Sequence, residues 1–315
     1  MTFEIIVTKE YEGNSPKSFI KKHVDVPYWK IPQLLKDKRI TINKKKIKQD
    51  TILKEGDVIK VWLNELKPIL QTQKENRKIK NLNIEKIYEN EDFIILNKKP
   101  GIVVQGAQDN ELSLSYHLEY LKEKNKDSSS FDYIHAHRID KDTSGILVVG
   151  KNLIALRKLN EIFKNRDVKK KYVCLCLGKF EKKTGTIENW IKRAKQGSKE
   201  KAIISNDKSE DAKKAITIFK VLKEIEFEND IFSFVEVEIK TGLMHQIRAH
   251  MKYLKHPIIG DSMYGNSFLN KKLENVLKRQ FLHAISLEFE WNGKNMKFEA
   301  PLADDLKKTV EFLEN

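Results

Sequence analysis

A polar cluster followed by a short apolar run is the strongest candidate for chemistry in this chain. The cluster, His137–Gly145, leads directly into Ile146–Val149, whose composition predicts a buried strand. Because a strand inside a sheet fixes the loop at its end, we expect Asp140 to be held rigidly at the sheet margin. Arg138, two residues earlier, would then lie beside that carboxylate. The cluster therefore predicts a functional site built around a carboxylate.

The elements that would position this site are short strands and helices in no regular βαβ order. Val235, Val237 and Ile239 fall on one face of a predicted strand. Predicted helices are Leu153–Phe163, His245–Tyr253 and Lys272–Gln280. Strands that pair with their neighbours, with helices to one side, indicate an α+β fold with a mixed, largely antiparallel sheet.

The composition and length predict two domains and an anionic partner. The 315 residues include 60 Lys and Arg against 45 Asp and Glu, a net charge of +15. Such an excess is typical of proteins that bind polyanions, although a lysine-rich solvated surface gives the same count. A polar stretch separates the domains, so we expect one over residues 1–65, a linker at 66–82 and a larger domain over 83–315.

Nothing in the sequence predicts a membrane protein or a secreted one. No apolar run approaches the roughly 20 residues that a membrane span requires, and the N-terminal residues lack the pattern of a secretory signal. Cys174 and Cys176 lie two apart in an apolar strand, where a disulfide is poorly placed, so we expect buried thiols. These features favour a cytoplasmic location.

The first domain has its own local signals. Ser15 followed by Pro16 predicts a helix that runs toward His23. A second helical pattern covers Trp29–Lys36. Alternating polar and apolar residues follow, with a turn at Glu55–Asp57 before a strand, which predicts a small α+β unit.

The polar cluster resembles a known family signature. The letters HRIDKDTSG resemble the HRLDxxTSG motif of the RluA-type pseudouridine synthases, which isomerise uridine within RNA, with Ile139 in place of leucine. In the segment resembling TGRxHQIR, Leu243 and Met244 replace the usual arginine and threonine, so any RNA contact of that arginine is missing. Further similar segments, in chain order, are Asn97–Gly101, Lys171–Tyr172, Lys240–Arg248, His256–Asp261, Tyr264–Gly265 and Phe281–Ala284.

The resemblance implies the pseudouridine synthase fold, with a bent mixed sheet and a catalytic cleft across its middle. It also implies a reaction that breaks the C1′–N1 glycosidic bond, rotates the base and rejoins it through C5. That reaction needs no metal, redox cofactor or activated donor. Asp140 would be the essential carboxylate, attacking the sugar or C6 of the ring, or removing the 2′ proton to give a glycal; the residues leave these routes open.

The resemblance also suggests roles around Asp140. Arg248 would form the salt bridge that keeps the carboxylate ionised and aimed. Tyr172 would stack on the uracil and could remove the C5 proton, although a core aromatic residue is the alternative. Ile239 would wall the uracil pocket or pack in the core.

The two residues before Ile139 would act on the RNA and on the loop. A target uridine inside RNA structure must be unstacked, and Arg138 would wedge into the vacated space or bind a phosphate. His137 would orient the loop by hydrogen bonds.

Residues 14–64 resemble the S4-like RNA-binding domain. A row of cations on a helix end and a strand pair would neutralise phosphates, and a solvated hairpin is the alternative. The candidate contacts are Lys36, Lys38, Arg39, Asn43, Lys44, Lys45 and Lys46. Residues 181–214 form a long charged excursion that would either embrace RNA or stay a solvated loop.

Other functions fit less well. Asp140–Thr143 matches the DxDxT motif of aspartate-nucleophile phosphatases, but the residues before it are too polar for their buried strand. His245 and His250 are five apart, the wrong spacing for a zinc pair on a helix. A non-catalytic RNA-binding or ribosome-assembly protein remains an alternative, as does a synthase acting on tRNA. We expect a monomeric cytoplasmic enzyme that modifies 23S ribosomal RNA.

Overall fold

The structure, a computed structural model, describes residues 2–24, 31–37, 39–47, 51–62, 80–105, 111–127, 131–196, 199–205 and 207–315. The start of the second predicted helix, Lys38 and most of the predicted linker (63–79) lie outside the described residues. The chain divides into two compact units. The first is Met1–Ile79 with Ser128–Phe131, and the second is Lys80–Asp127 with Asp132–Asn315.

The first unit packs two helices against a small antiparallel sheet. Its elements are β1 (Thr2–Ile6), α1 (Pro16–His23), α2 (Ile31–Lys36), β2 (Ile40–Ile42), β3 (Lys45–Lys46) and β4 (Val58–Trp62). The strand order is β1-β4-β2-β3. Phe19 and Ile20 from α1 and Ile59 from β4 are buried in one apolar cluster, which joins the helices to the sheet. The predicted helix that starts at Pro16 is confirmed.

The second unit contains eleven strands and five helices in its described part. The strands are β5 (Glu85–Glu89), β6 (Phe93–Lys98), β7 (Ile134–His135), β8 (Ser144–Gly150), β9 (Val168–Leu177), β10 (Thr184–Gln196), β11 (Lys199–Ser205), β12 (Lys213–Phe227), β13 (Asp230–Ile239), β14 (Leu282–Trp291) and β15 (Lys294–Glu299). The helices are α3 (Leu114–Lys124), α4 (Leu153–Asn165), α5 (Gln246–Tyr253), α6 (Ser267–Lys272) and α7 (Asp304–Glu314).

These strands form one mixed sheet in the order β11-β10-β12-β13-β9-β14-β8-β6-β5, with β15 beside β14 and β7 beside β8. Every described pairing in this sheet is antiparallel except β14 with β8. The prediction of an α+β fold with a mixed, largely antiparallel sheet is confirmed.

The apolar run after the polar cluster is buried on both faces. Ile146 and Val148 pack in one apolar cluster, whereas Leu147 and Val149 pack in another on the opposite face. All residues of β8 are buried, so the strand cannot shift without opening two cores. This double burial fixes the loop that precedes β8.

Two sequence predictions are corrected. The helix predicted at Lys272–Gln280 is wrong: the helix is α6, which starts after Asn266, whose side-chain oxygen accepts from the Leu269 N–H at 3.0 Å. The alternative that 181–214 stays a solvated loop is also wrong, because β10 and β11 pair as a hairpin and β10 continues the sheet through β12. The charged residues of β10 interrupt the alternation of polar and apolar residues that would indicate a strand.

The remaining local predictions concern one helix and the cysteines. The predicted helix at Leu153–Phe163 is confirmed as α4. Cys174 and Cys176 are buried, unoxidised thiols in β9, as predicted. Among the described residues, no helix combines the length and the apolar character needed to cross a membrane.

Candidate active site

The loop that carries Asp140 lies between β7 and β8 and is closed by a backbone turn. The Thr143 N–H donates to the Asp140 carbonyl oxygen at 3.1 Å. Ile139, one residue earlier, is buried and anchors the loop to the core. The Asp140 side chain is 22% exposed, so its carboxylate reaches solvent from a fixed backbone.

A buried lysine holds this loop from behind. Lys98, at the end of β6, is fully buried and donates to the carbonyl oxygens of Lys99, Ile102 and Lys141 at 2.9, 3.1 and 2.8 Å. Burial lowers the pKa of the Lys98 ammonium to about 7, against the opposing effect of Asp142. Because Lys141 directly follows Asp140, this lysine fixes the backbone next to the carboxylate.

Arg279 holds the other end of the loop. Its guanidinium donates to the Asp142 carbonyl oxygen at 2.9 Å and to Ser144 Oγ at 3.0 Å. Asp305 fixes the guanidinium through two hydrogen bonds, of 2.6 and 2.9 Å. Ser144 Oγ also contacts His283 Nδ1 at 2.9 Å, which ties β8 to β14. Nothing in the sequence indicates this role for Arg279, because its partners come from distant parts of the chain.

Gly145 lets β8 approach β14, and Gly145→Ala is expected to destabilise the fold by about 3 kcal/mol or more. Gly145 has φ +109°, and a Cβ there would lie 2.7 Å from the Ala284 nitrogen and closer still to its carbonyl oxygen. Gly293→Ala is the matched control, because Gly293 has φ +76° but nothing within 4 Å of a Cβ. It should cost only about 1 kcal/mol of backbone strain. Urea denaturation of both variants measures the difference, and equal losses would contradict the steric explanation.

Asp140 and Arg248, which are 108 positions apart in the sequence, meet in the structure. Arg248, in α5, donates from Nη1 to Asp140 Oδ2 at 3.0 Å. Its Nε and Nη2 donate to the two carboxylate oxygens of Asp261 at 2.6 and 2.9 Å. Asp261 also accepts from the N–H groups of Met263 and Tyr264. Asp261 therefore fixes the guanidinium of Arg248, and the guanidinium in turn holds Asp140 through Oδ2.

The charges in this bridge stabilise one another. Burial raises the pKa of the Asp261 carboxyl, but the hydrogen bonds and charge of Arg248 outweigh burial and hold that pKa below its ordinary value. Burial also opposes the charge on Arg248, yet Asp261 and Asp140 raise the pKa of the guanidinium. Both groups of the buried pair are therefore ionised at neutral pH.

His245 lies beside the Asp140 carboxylate. Its Nε2 is 3.8 Å from Asp140 Oδ2, and its Nδ1 is 3.1 Å from the Tyr264 hydroxyl. Burial lowers the pKa of the His245 imidazole; Asp140 opposes this and Arg248 adds to it. Oδ1 of Asp140 has no hydrogen-bond partner among the described residues.

A cavity of about 420 Å³ opens over Asp140. Tyr172, Ile239 and Arg248 line it together with the carboxylate, so four of the sequence-predicted residues share one site. Tyr172 and Ile239 are each 7% exposed. Burial, and then the nearby Asp140 charge, raise the pKa of the Tyr172 phenol, which stays protonated at neutral pH.

His137 and Arg138 also line the cavity, in different ways. The His137 ring stacks on Phe163, with centroids 4.5 Å apart, and its Nε2 accepts from the Val148 N–H at 3.1 Å. Burial lowers the pKa of the His137 imidazole to about 3, so the ring is neutral. Arg138 is exposed at the rim of the loop. The hydrogen bond from Val148 joins His137 to β8, and its loop-orienting role stays a prediction.

The candidate RNA contacts of the first unit lie on its surface where they are described. Lys36 ends α2, and Arg39, Lys44, Lys45 and Lys46 are exposed. Asn43 differs, because its side chain is engaged within the unit, donating to Asp57 Oδ1 at 2.7 Å and accepting from the Val58 N–H at 2.8 Å. Lys38 lies outside the described residues.

A comparison with models of protein families identifies the family of this chain. The model of a family described as RNA pseudouridylate synthase matches residues 92–253, which include Asp140, Tyr172 and Arg248. The chain belongs to this family. Asp261 lies beyond the matched range, although it fixes the arginine inside it.

Named relatives agree over most of the chain. A Rickettsia felis protein named ribosomal large subunit pseudouridine synthase C is 36% identical over 283 residues, 86% of this chain and 87% of that protein. An Escherichia coli O157:H7 protein of the same name is 28% identical over 99% of this chain and 96% of its own length. A solved human structure, RNA pseudouridylate synthase domain containing 1, covers 73% of this chain and 94% of its own, with a TM-score of 0.58 and 26% identity.

The site contains residues to which the sequence assigned no role. Asp261 ends the segment His256–Asp261, which was noted only for its resemblance. His245 belongs to the segment Lys240–Arg248, has the wrong spacing to His250 for a zinc site, and lies next to Asp140. Lys98 was part of a turn motif and is a buried support. Their signals were present as motif letters, but their roles depend on contacts between distant segments.

Proposed function

We propose that this chain isomerises uridines to pseudouridine in large-subunit ribosomal RNA, with Asp140 as the essential carboxylate. The observation that carries the proposal is the Asp140 carboxylate in the cavity lining, held through Oδ2 by Arg248 at 3.0 Å, while Oδ1 has no hydrogen-bond partner among the described residues. Membership of the family supplies the reaction. The names of the relatives support the ribosomal substrate.

The reaction conserves atoms, so the site must move bonds and one proton. The C1′–N1 bond breaks, the C1′–C5 bond forms, the proton on C5 leaves and N1 ends protonated. Asp140 Oδ1 is the free oxygen that would attack the sugar or C6, or would take the 2′ proton; this arrangement serves either route. Arg248 keeps the carboxylate aimed through its hydrogen bond to Oδ2.

Tyr172 serves best as a stacking surface for the detached uracil. The ring lies in the cavity wall near Ile239, on the adjacent strand, so an aromatic face and an aliphatic face are both available to a planar base. The raised pKa of the phenol disfavours the alternative in which a phenolate removes the C5 proton.

The first unit would act as an S4-like RNA-binding domain, and a catalytic domain would follow it in the chain from about residue 83. Its exposed cations, Arg39 and Lys44–Lys46, are suited to phosphates of a large folded RNA. Arg138 would enter the space left by the flipped uridine. We propose a monomeric, cytoplasmic enzyme that needs no metal or cofactor.

Mapping pseudouridine in treated RNA tests the proposed substrate. The purified chain is incubated with unmodified 23S ribosomal RNA and, separately, with a tRNA pool, and pseudouridines are located by carbodiimide-dependent primer extension. We expect new stops at defined uridines of 23S RNA only. Stops in tRNA alone would show that tRNA, not 23S RNA, is the substrate. RNA binding with no pseudouridine in either pool would favour the non-catalytic RNA-binding alternative.

A further inference from the structure

One part of the cavity wall is basic and has no role in the chemistry described above. Lys164 and Arg166, at the C-terminal end of α4, and Lys170, in β9, line the cavity beside Arg138. We call Lys164, Arg166 and Lys170 the basic wall. They come from two elements that the chain joins by the short turn after α4.

Lys170 faces the cavity because of its position in β9. Side chains alternate along a strand, so Lys170 shares a face with Tyr172, whereas Lys169 and Lys171 line a groove on the other face. Its Nζ would be 3.5 Å from a Cβ at Gly242, which places the ammonium beside the turn that leads into α5. Burial, and then Arg166, lower the pKa of Lys170. The strand therefore holds the Lys170 ammonium in the cavity, although burial removes part of its hydration.

Arg166 occupies a position that costs the fold some stability. It caps α4 in the left-handed conformation, with φ +67°, and its N–H donates to the Ile162 carbonyl oxygen. Glycine is the residue that such a cap favours, because a side chain there costs about 1 kcal/mol or more. The cap itself therefore gives no reason for an arginine at this position, whose side chain lines the cavity.

No acidic side chain in the part of the chain that the structure describes neutralises the charges of the basic wall. Across the described ranges, Lys164, Arg166 and Lys170 form no ion pair with an acidic side chain. Among the described residues that line the cavity, Glu200 is the only acidic one besides Asp140, and it is 3.8 Å from Arg193. Three neighbouring cations that repel one another are suited to an anion supplied from outside.

We propose that the basic wall binds backbone phosphates of the RNA strand next to the target uridine. The inference rests on the proposed function and deepens it, because it names the part of the RNA that this wall holds. A base in the cavity must carry its flanking phosphodiesters to the cavity rim, where Lys164 and Arg166 are exposed. Phosphate contacts position the strand and read no sequence.

Salt dependence of RNA binding provides the first test. A triple variant, Lys164→Gln, Arg166→Gln and Lys170→Gln, is compared with a control of equal charge, Lys169→Gln, Lys278→Gln and Lys294→Gln. Each lost phosphate contact on a single strand should reduce the slope of log affinity against log salt by about 0.7, so the triple variant should lose about 2. At 0.1 M salt its affinity for the substrate RNA should fall roughly 100-fold.

The control decides whether position or overall charge matters. Its three lysines are exposed, line no part of the cavity and form no ion pair in the part of the chain that the structure describes. Its slope should stay within about 0.5 of the wild type, since long-range charge effects are screened. Equal losses in the two triple variants would overturn the proposal and reduce the effect to net charge.

Arg166→Gly separates binding from folding. Glycine relieves the left-handed cap, so the midpoint of thermal unfolding should stay the same or rise, while RNA affinity falls about fivefold at 0.1 M salt. A variant with unchanged affinity would overturn the role of Arg166, and a lower midpoint would contradict the strain argument behind it.

Neutral phosphates in the RNA identify the contact directly. Methylphosphonate linkages on either side of the target uridine should weaken binding by the wild type but add little in the triple variant. Full additivity of the two changes would place the contact elsewhere. These measurements are made on RNA that the wild type converts; if the wild type converts none, the proposed function fails before the basic wall is tested.

Discussion

Asp140→Asn is expected to lower the rate of pseudouridine formation by at least about 10³-fold and to leave RNA affinity within about threefold of the wild type. The amide keeps the shape of the side chain but can neither attack nor accept a proton. Arg248 stays in place, because Asp261 holds its Nε and Nη2 independently of Asp140. Single-turnover pseudouridine formation and filter binding measure the two effects separately.

Asp142→Asn is the matched control for this loss. Asp142 lies in the same loop but does not line the cavity, and its carbonyl oxygen, which accepts from Arg279, is unchanged by the substitution. Activity should therefore fall by less than about tenfold, in line with the modest effects of changes away from the reacting atoms. An Asp140→Asn variant with near-normal turnover would remove the carboxylate mechanism.

The loop and its strand could be predicted from the sequence because the signals are local. The polar cluster is contiguous, and the apolar run after it matches β8, whose residues are all buried. The same is true of α1, which begins where a serine and a proline indicate. Where a short stretch of chain both specifies and forms an element, its sequence suffices.

The hairpin of β10 and β11 shows why other elements could not be predicted. Four of the 13 residues of β10 are charged (Glu188, Lys192, Arg193 and Lys195), and the strand is held by pairing with β12 along Thr184–Ile191 rather than by its own composition. Only tertiary pairing makes that segment a strand, so propensity gave a loop. Likewise, α7 was not predicted, although Asp304 and Asp305 in its first turn favour a helix start.

The candidate site divides in the same way. Asp140, Tyr172 and Arg248 lie in segments that resemble family motifs, and all three line one cavity in the structure. Asp261 also belongs to a family-like segment, but its role could not be predicted because its partner, Arg248, lies in a different segment. Support residues are defined by contacts, and one sequence without those contacts cannot separate them from packing residues.

Arg248→Met is expected to destabilise the protein by about 3–5 kcal/mol and to abolish activity. The Asp261 side chain is fully buried, with 0% exposure, so removing the guanidinium leaves an unpaired carboxylate in the core. Asp261→Asn should cost less, because the amide oxygen can still accept from the Met263 and Tyr264 N–H groups. Urea denaturation of the full chain gives both losses.

The double variant isolates the pair itself. With both charges gone, no buried carboxylate is left unpaired, so Arg248→Met with Asp261→Asn should be more stable than Arg248→Met alone. Its activity should stay absent, because Asp140 still lacks its donor. A double variant whose loss of stability equals the sum of the single losses would show that the two groups are not coupled.

The pH dependence of stability shows whether Asp261 is ionised in the folded protein. The folded pKa of Asp261 lies below its ordinary value of 3.8, so the unfolded chain takes up a proton first as the pH falls. The contribution of Asp261 is therefore complete above about pH 4 and is lost as the pH falls through the lowered folded pKa. The stability gap between the wild type and Asp261→Asn should be constant from pH 7 to about pH 5 and narrow below pH 4. A gap that widens on acidification would mean that Asp261 is protonated in the folded protein, and Arg248 would then have lost the fixed partner on which the aim of Asp140 depends.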